Sequence, residues 1–149
     1  MEGSILLAYI GIGLLVGGSF MASAVGVSIC GQTVIGALKK RPESFGTYML
    51  LSAVATTQGI YGLVAFILFQ GFLTPEITAL QSSAILGVGI LMAVAGYFAN
   101  VGQAKILSNG IEATAAGHNV TAKTMIMAAF PETFGLFSFL VAVLISFAI

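Results

Sequence analysis

Four apolar stretches, at about 5–33, 47–70, 80–107 and 123–148, leave this 149-residue chain three short polar intervals in which to turn. A helix needs about 20 apolar residues to cross the hydrocarbon core of a bilayer, and each stretch is long enough. Hydrophobic residues make up 58% of the chain and charged residues 7%, with a mean hydropathy of +1.09. A soluble domain would carry roughly a quarter charged residues. The fold class read from this is an all-α membrane protein with four transmembrane helices.

The remaining composition excludes several functions. Net charge is zero and no basic run is long enough to hold nucleic acid. The single Cys30 lies in an apolar segment, which rules out a disulfide framework. The first residues, Met-Glu-Gly-Ser-Ile-Leu-Leu, lack the basic region of a signal peptide and read as the start of a retained span. No glycine-rich phosphate loop is evident, and no cofactor is expected. His118 reads as a turn histidine and Cys30 as a packed thiol, neither with a functional role.

The only cluster of positive charge, Lys39-Lys40-Arg41, separates the first two spans. Cytoplasmic loops carry such charge, so the intervals at 36–46 and 109–122 are expected in the cytoplasm with both termini outside. Lys105 and Lys123 flank the second of these loops, and Glu112 is expected just past a helix end.

The two halves repeat. Gly11, Gly13, Val25 and Gly26 recur as Gly87, Gly89, Val101 and Gly102, always 76 residues on. The chain is therefore read as two tandem hairpins, 1–75 and 76–149, duplicated from one. An even number of spans per repeat makes this a parallel repeat, unlike the inverted repeats of many transporters. The first and third spans are crowded with glycine and alanine, and Gly13, Gly17 and Gly87 fall with other small residues at four-residue steps. Such faces let helix backbones approach closely in lipid, within one chain or between copies of it.

One acid lies where an acid is expensive. Glu132 sits well inside the fourth apolar stretch, whereas Glu2, Glu43, Glu76 and Glu112 can all reach a surface. Holding a charge there costs ~2.5–3.5 kcal/mol on insertion scales, so its default reading is functional. The 76-residue offset pairs it with Thr56, so the first hairpin has lost the acid that the second keeps. Val54, Thr57, Gln58 and Tyr61 share one helical face of the second span, spaced i, i+3, i+4 and i+7. Counted from the cytoplasmic turns, Gln58, Gln103 and Glu132 all lie roughly 22–25 Å along their helices at 1.5 Å per residue.

A hydroxyl, two amide oxygens and a carboxylate form a hard-oxygen set suited to alkali or alkaline-earth ions. One negative charge among them makes a neutral site with a monovalent ion. A proton would need only Glu132 and one partner, so the additional amides favour sodium. Each polar residue also has a plainer reading. A Gln or Thr in a spanning helix is often interhelical glue, Tyr61 could be packed with its hydroxyl satisfied locally, and Glu132 could pair with a buried base. Pro131, which frees the carbonyl of Met127, is either a tolerated kink or part of the site's shape.

At these residues the chain resembles the four-helix proteolipid, K or c, of V-type rotary ATPases. The resemblance covers essentially the whole chain: duplicated hairpins, glycine-rich first and third spans, and one carboxylate in span four. Thr57-Gln58-Gly59-Ile60-Tyr61-Gly62, Gln103-Ala104-Lys105 and Glu132-Thr133 are similar to the bacterial sodium-translocating members. Pro131, where those members have an aliphatic residue, departs from the pattern.

The resemblance implies that Glu132, Thr57, Gln58 and Gln103 bind Na⁺ with their side-chain oxygens. The Val54 backbone carbonyl completes the shell and Tyr61 hydrogen-bonds Glu132. It further implies a homo-oligomeric rotor ring in a bacterial cell membrane, in contact with lipid, carrying one ion per subunit. A stator subunit would supply an essential arginine, since Arg41, this chain's only one, lies in a loop. The cytoplasmic loops would contact a central-stalk subunit, with ATP chemistry confined to other subunits, so the chain alone is no enzyme. The same role with H⁺ is the near alternative. A small multidrug-type proton-coupled transporter is the rival from another class, but such proteins place the acid in the first span and favour tryptophan, which this chain lacks.

Overall fold

A computed structural model describes residues 2–149, leaving residue 1 of the expected first hairpin outside the described residues. Five α-helices account for most of them: α1 (Glu2–Leu38), α2 (Phe45–Val54), α3 (Thr57–Phe69), α4 (Ala79–Ala115) and α5 (Thr121–Ala148). Short 3₁₀ turns at Pro42–Ser44 and Gln70–Phe72 flank the α2–α3 pair. Four segments are long and apolar enough to cross a membrane: Ser4–Leu38, Pro42–Phe72, Ala79–Ala115 and Thr121–Ala148. The protein is an integral, multi-pass, all-helical membrane protein built of two repeated hairpins.

Both α1 and α4 run for 37 residues, about 55 Å at 1.5 Å per residue, against a hydrocarbon core of ~30 Å. They overrun the expected spans 5–33 and 80–107 because hydropathy marks where a helix meets lipid, not where it ends. Glu112 is accordingly inside α4, near its C-terminal end, rather than past it. What stops α4 is Gly117, whose φ of 98° is a left-handed conformation that glycine adopts without strain. The other end of α4 is fixed by a capping box: Thr78 Oγ1 accepts from Gln81 N–H and Gln81 Oε1 accepts from Thr78 N–H, both at 3.1 Å.

The helices do not contribute equally to the interior. α1 packs along α4, α5 lies against α4, and α3 bridges α1 and α5. The α1–α4 contact is close to backbone on backbone: a side chain at Gly89 would strike the carbonyl of Gly11, and one at Gly18 would strike Ala93. A Cβ added at Gly13, Gly17 or Gly87 would meet nothing from another helix within 4 Å. The small residues therefore divide into a set used within the protomer and a set left on its surface.

Two apolar clusters fill the interior. One gathers Cys30, Tyr48, Leu51, Leu107 and Ile111; the other gathers Leu15, Phe69, Ile85, Val88 and Met92. Buried Gln58, Asn100 and Gln103 fall between them. The two hairpin turns lie at one end, where Arg41 reaches Gly117. At the other end Gln81 Nε2 donates to the Ile149 carbonyl at 3.0 Å.

The second span differs from the single helix expected over 47–70. It breaks between Val54 and Thr57, where the N–H groups of Ala55 and Thr56 turn back to Ser52 and Ala53 in i→i−3 fashion. Span four, which contains Pro131, stays one continuous helix.

Candidate ion-binding site

Glu132 projects from α5 at the level of that break. Tyr61 Oη donates to its Oε1 at 3.0 Å, and Gln103 Nε2 donates to its Oε2 at 2.8 Å. The Gln103 amide also reaches the Ala128 carbonyl at 3.3 Å, which ties α4 to α5 one turn before the acid. Tyr61 is held by stacking on Phe139, ring centroids 5.4 Å apart. Both carboxylate oxygens are thus oriented by neutral donors. The only ion pair among the described residues is Arg41–Glu43 at 3.3 Å, exposed in the first turn. No described basic residue of this chain pairs with Glu132.

Glu132 itself is half-buried. Phe130 and Phe134, two residues to either side, are 62% and 67% exposed. The acid therefore sits at the lateral face of the protomer, between an apolar rim and a polar interior.

The polar interior is short of partners. Thr57 Oγ1, Gln58 Nε2 and Gln103 Oε1 are buried with no hydrogen bond among the described residues, as is Asn100 Oδ1. Leaving such a group unpaired costs about 1–3 kcal/mol, so a cluster of them at one level calls for a ligand. Thr57 and Gln58 open α3, immediately after the break. Gln58 is 2% exposed and lies between Gly96 of α4 and Gly135 of α5. A methyl group at Gly135 would collide with its amide, and one at Gly96 would come within 3.2 Å.

The break also changes the backbone. The Ser52 and Ala53 carbonyls accept from the N–H groups of Ala55 and Thr56, and the Ala55 carbonyl accepts from Asn100 Nδ2 at 2.8 Å. Val54 is the last residue of α2, so its carbonyl is among those that a helix end leaves without an intrahelical partner. The structure thus brings Tyr61, Gln103 and Glu132 into direct contact. It leaves Thr57, Gln58 and the Val54 carbonyl at the same level with unused polar capacity.

Four residues of this region escaped the sequence reading: Ser23, Gly96, Asn100 and Gly135. Asn100 is a wholly buried amide only three residues before Gln103, and that was the available signal. The glycines had none, because the space they leave is visible only once Gln58 is placed. Thr56, at the position equivalent to Glu132, is exposed and returns its hydroxyl to the Ala53 carbonyl at 2.7 Å. Pro131 stacks over Gly102 of α4.

Fold and site together define a duplicated-hairpin membrane proteolipid with a single carboxylate in a polar seat at its side. The family model of the ATP synthase C subunits matches residues 10–69 and again 86–145, and the chain belongs to that family. The two matches stand apart by the 76 residues of the internal repeat. The chain is 32% identical over 146 residues to the A-type ATP synthase subunit K of Methanocaldococcus jannaschii, covering 97% of this chain and 64% of that protein. It thus spans just under two thirds of that relative's length. It is 31% identical over 128 residues to the V-type sodium ATPase subunit K of Enterococcus hirae, covering 85% and 81% of the two chains. The 16 kDa proteolipid of the V-type proton ATPase of Rattus norvegicus is 27% identical over 128 residues, covering 86% and 83%.

Proposed function

We propose that the chain is a rotor-ring subunit of an A/V-type ATPase and carries one Na⁺ per copy at Glu132. The observation that carries this reading is the pair of unpartnered buried oxygens, Thr57 Oγ1 and Gln103 Oε1, beside a carboxylate with no basic partner among the described residues. Hard oxygens from a hydroxyl, two amides, a carboxylate and the Val54 carbonyl suit Na⁺. With one carboxylate the loaded seat is neutral. The sodium ATPase subunit among the relatives supports the same cargo, and the proton ATPase proteolipid keeps H⁺ as the competing one.

The mechanism follows from the site's place on the protomer. Identical copies close into a ring with α1 and α4 inside, so that Glu132 faces outward. A loaded, neutral seat can pass through lipid, whereas an empty charged one cannot. An arginine on a stator subunit displaces the ion into an exit path, and the emptied seat reloads from the other side. A central-stalk subunit at the cytoplasmic turns, 36–46 and 109–122, couples ring rotation to ATP chemistry performed in other subunits; this chain is not itself catalytic. Moving one charge against ~100 mV requires ~2.3 kcal/mol per ion.

Carbodiimide labelling tests the reading, because it modifies Glu132 only when the carboxyl is accessible and protonated. Na⁺ at fixed pH is expected to slow labelling of Glu132 in purified rings. If pH alters the rate and Na⁺ never does, the cargo is the proton.

A further inference from the structure

Within the span, the break carries only a local back-bond, Thr56 Oγ1 donating to the Ala53 carbonyl, of a kind that bends a helix slightly. Sharp interruptions of a helix arise at proline, at glycine or serine pairs, at π-bulges, or where a side chain inserts into the hydrogen-bond ladder. Val54-Ala55-Thr56-Thr57 contains no proline and no glycine. A second insertion comes from outside the span. Asn100 of α4, wholly buried, donates its amide to the Ala55 carbonyl at 2.8 Å. Ser23 Oγ of α1 accepts the N–H of Gly59 at 2.8 Å, taking up one of the donors that a new helix start exposes. Gly26 provides the room for Asn100, since a side chain there would overlap Oδ1.

Membrane interiors do not tolerate unsatisfied backbone, so a broken span persists only where neighbouring groups occupy the freed positions. Between the two clamped positions, Ala55 and Gly59, lie Thr57 and Gln58; the Val54 carbonyl immediately precedes them. We propose that Asn100 and Ser23 are positioning residues that hold span two open at 54–57, and that the clamp, rather than the ligand residues alone, sets the cation affinity of the seat. Neither residue is assigned as an ion ligand. They act by keeping the Val54 carbonyl out of the helix ladder and by aiming the first turn of α3. The inference rests on reading the Glu132 cluster as a Na⁺ seat, but its structural half stands on the break alone.

The test uses the full chain in its purified ring, with wild type, Asn100→Leu, Asn100→Ser and Ser23→Ala. Partners that orient metal ligands from the next layer out typically change affinity about 10–100-fold when removed. Asn100→Leu is expected to raise the Na⁺ concentration giving half-protection of Glu132 from carbodiimide by about tenfold or more. Ser23→Ala is expected to raise it by a smaller factor, and Asn100→Ser, which keeps a donor, to recover part of the loss. Amide hydrogen exchange across 54–61 is expected to slow in Asn100→Leu as the helix closes over the break. A role as simple glue would leave it unchanged or faster.

If Asn100→Leu fails to assemble, Ser23→Ala and Asn100→Ser decide the matter, because neither leaves an oversized group. Half-protection within twofold of wild type in the assembled variants, with unchanged exchange, overturns the proposal. If wild-type rings show no Na⁺ protection, the sodium reading fails. Exchange then judges the clamp alone: slowing supports it and no change overturns it.

Discussion

Gln103 holds Glu132 Oε2 through its amide nitrogen at 2.8 Å, while the oxygen of the same amide is buried without a partner. One side chain thus orients the acid and keeps an oxygen in reserve. Replacing it with isoleucine removes both functions and strands the carboxylate with one donor. Gln103→Ile is expected to weaken Na⁺ protection of Glu132 by about tenfold or more, since a hydrogen bond to a charged group contributes about 1.5–3 kcal/mol. Ring yield should be unchanged; loss of the ring itself would make Gln103 structural glue.

Tyr61 offers a milder perturbation. Tyr61→Phe deletes the 3.0 Å hydrogen bond to Glu132 Oε1 but keeps the stack on Phe139. Because Tyr61 is only partly buried, the loss is expected near the lower end of the same range, about tenfold in Na⁺ affinity. Faster ²²Na⁺ release from loaded rings, with unchanged thermal stability, is the measurement.

The glycines around Gln58 should behave as ligand-site residues despite having no side chain. Gly135→Ala drives a methyl group into the Gln58 amide. It is expected to cost about 1–3 kcal/mol through overpacking and to abolish Na⁺ protection at concentrations that protect wild type. Titration calorimetry of the two rings would check it.

The divided glycines of α1 and α4 predict two distinct failures. Gly89→Ala collides with the Gly11 carbonyl and should lower the melting temperature of the single chain. A Cβ at the exposed Gly87 meets nothing from another helix within 4 Å in its own protomer, so Gly87→Leu should leave that melt unchanged while reducing ring yield. Comparing chain melting with assembly separates them. Equal effects of both changes on melting would refute the division.

An acid placed at the repeat-equivalent position 56 should not create a second ion seat. Shifted by the repeat, the partners of Thr56 are not Gln103, Gln58 and Tyr61 but Val27, Phe134 and Phe137. A carboxylate at 56 would meet no amide and no hydroxyl in those roles. Thr56→Glu is expected to keep one protectable carboxyl per chain, counted by mass after labelling with and without Na⁺.

Much of this was legible in the sequence because membrane helices obey a simple rule: long apolar runs span, and a lone acid among them stands out. The offset linking Gly11 to Gly87 and Thr56 to Glu132 gave the duplication, and helical periodicity placed Thr57, Gln58 and Tyr61 on one face. The break at 54–57 was hidden, since Asn100, which bonds the Ala55 carbonyl there, lies 45 residues away in the chain. Proline drew attention to position 131, where the helix continues, and its absence concealed the place where a helix stops. Glu112 was misplaced for a related reason: polarity marks the edge of the lipid, and α4 simply continues beyond it. Which glycines face inward depends on how α1 is rotated against α4, a fact of packing that four-residue spacing does not contain.

The role proposed for the Val54 carbonyl has a consequence for heredity. A backbone oxygen is common to all twenty amino acids, so no codon change at position 54 deletes it while the break persists. Side-chain groups at 57, 58, 103 and 132 can each be lost in one mutational step, but the oxygen at 54 changes only when something bends or straightens the chain around it. Variation in that part of the seat is therefore written elsewhere in the gene, at positions such as 23 and 100.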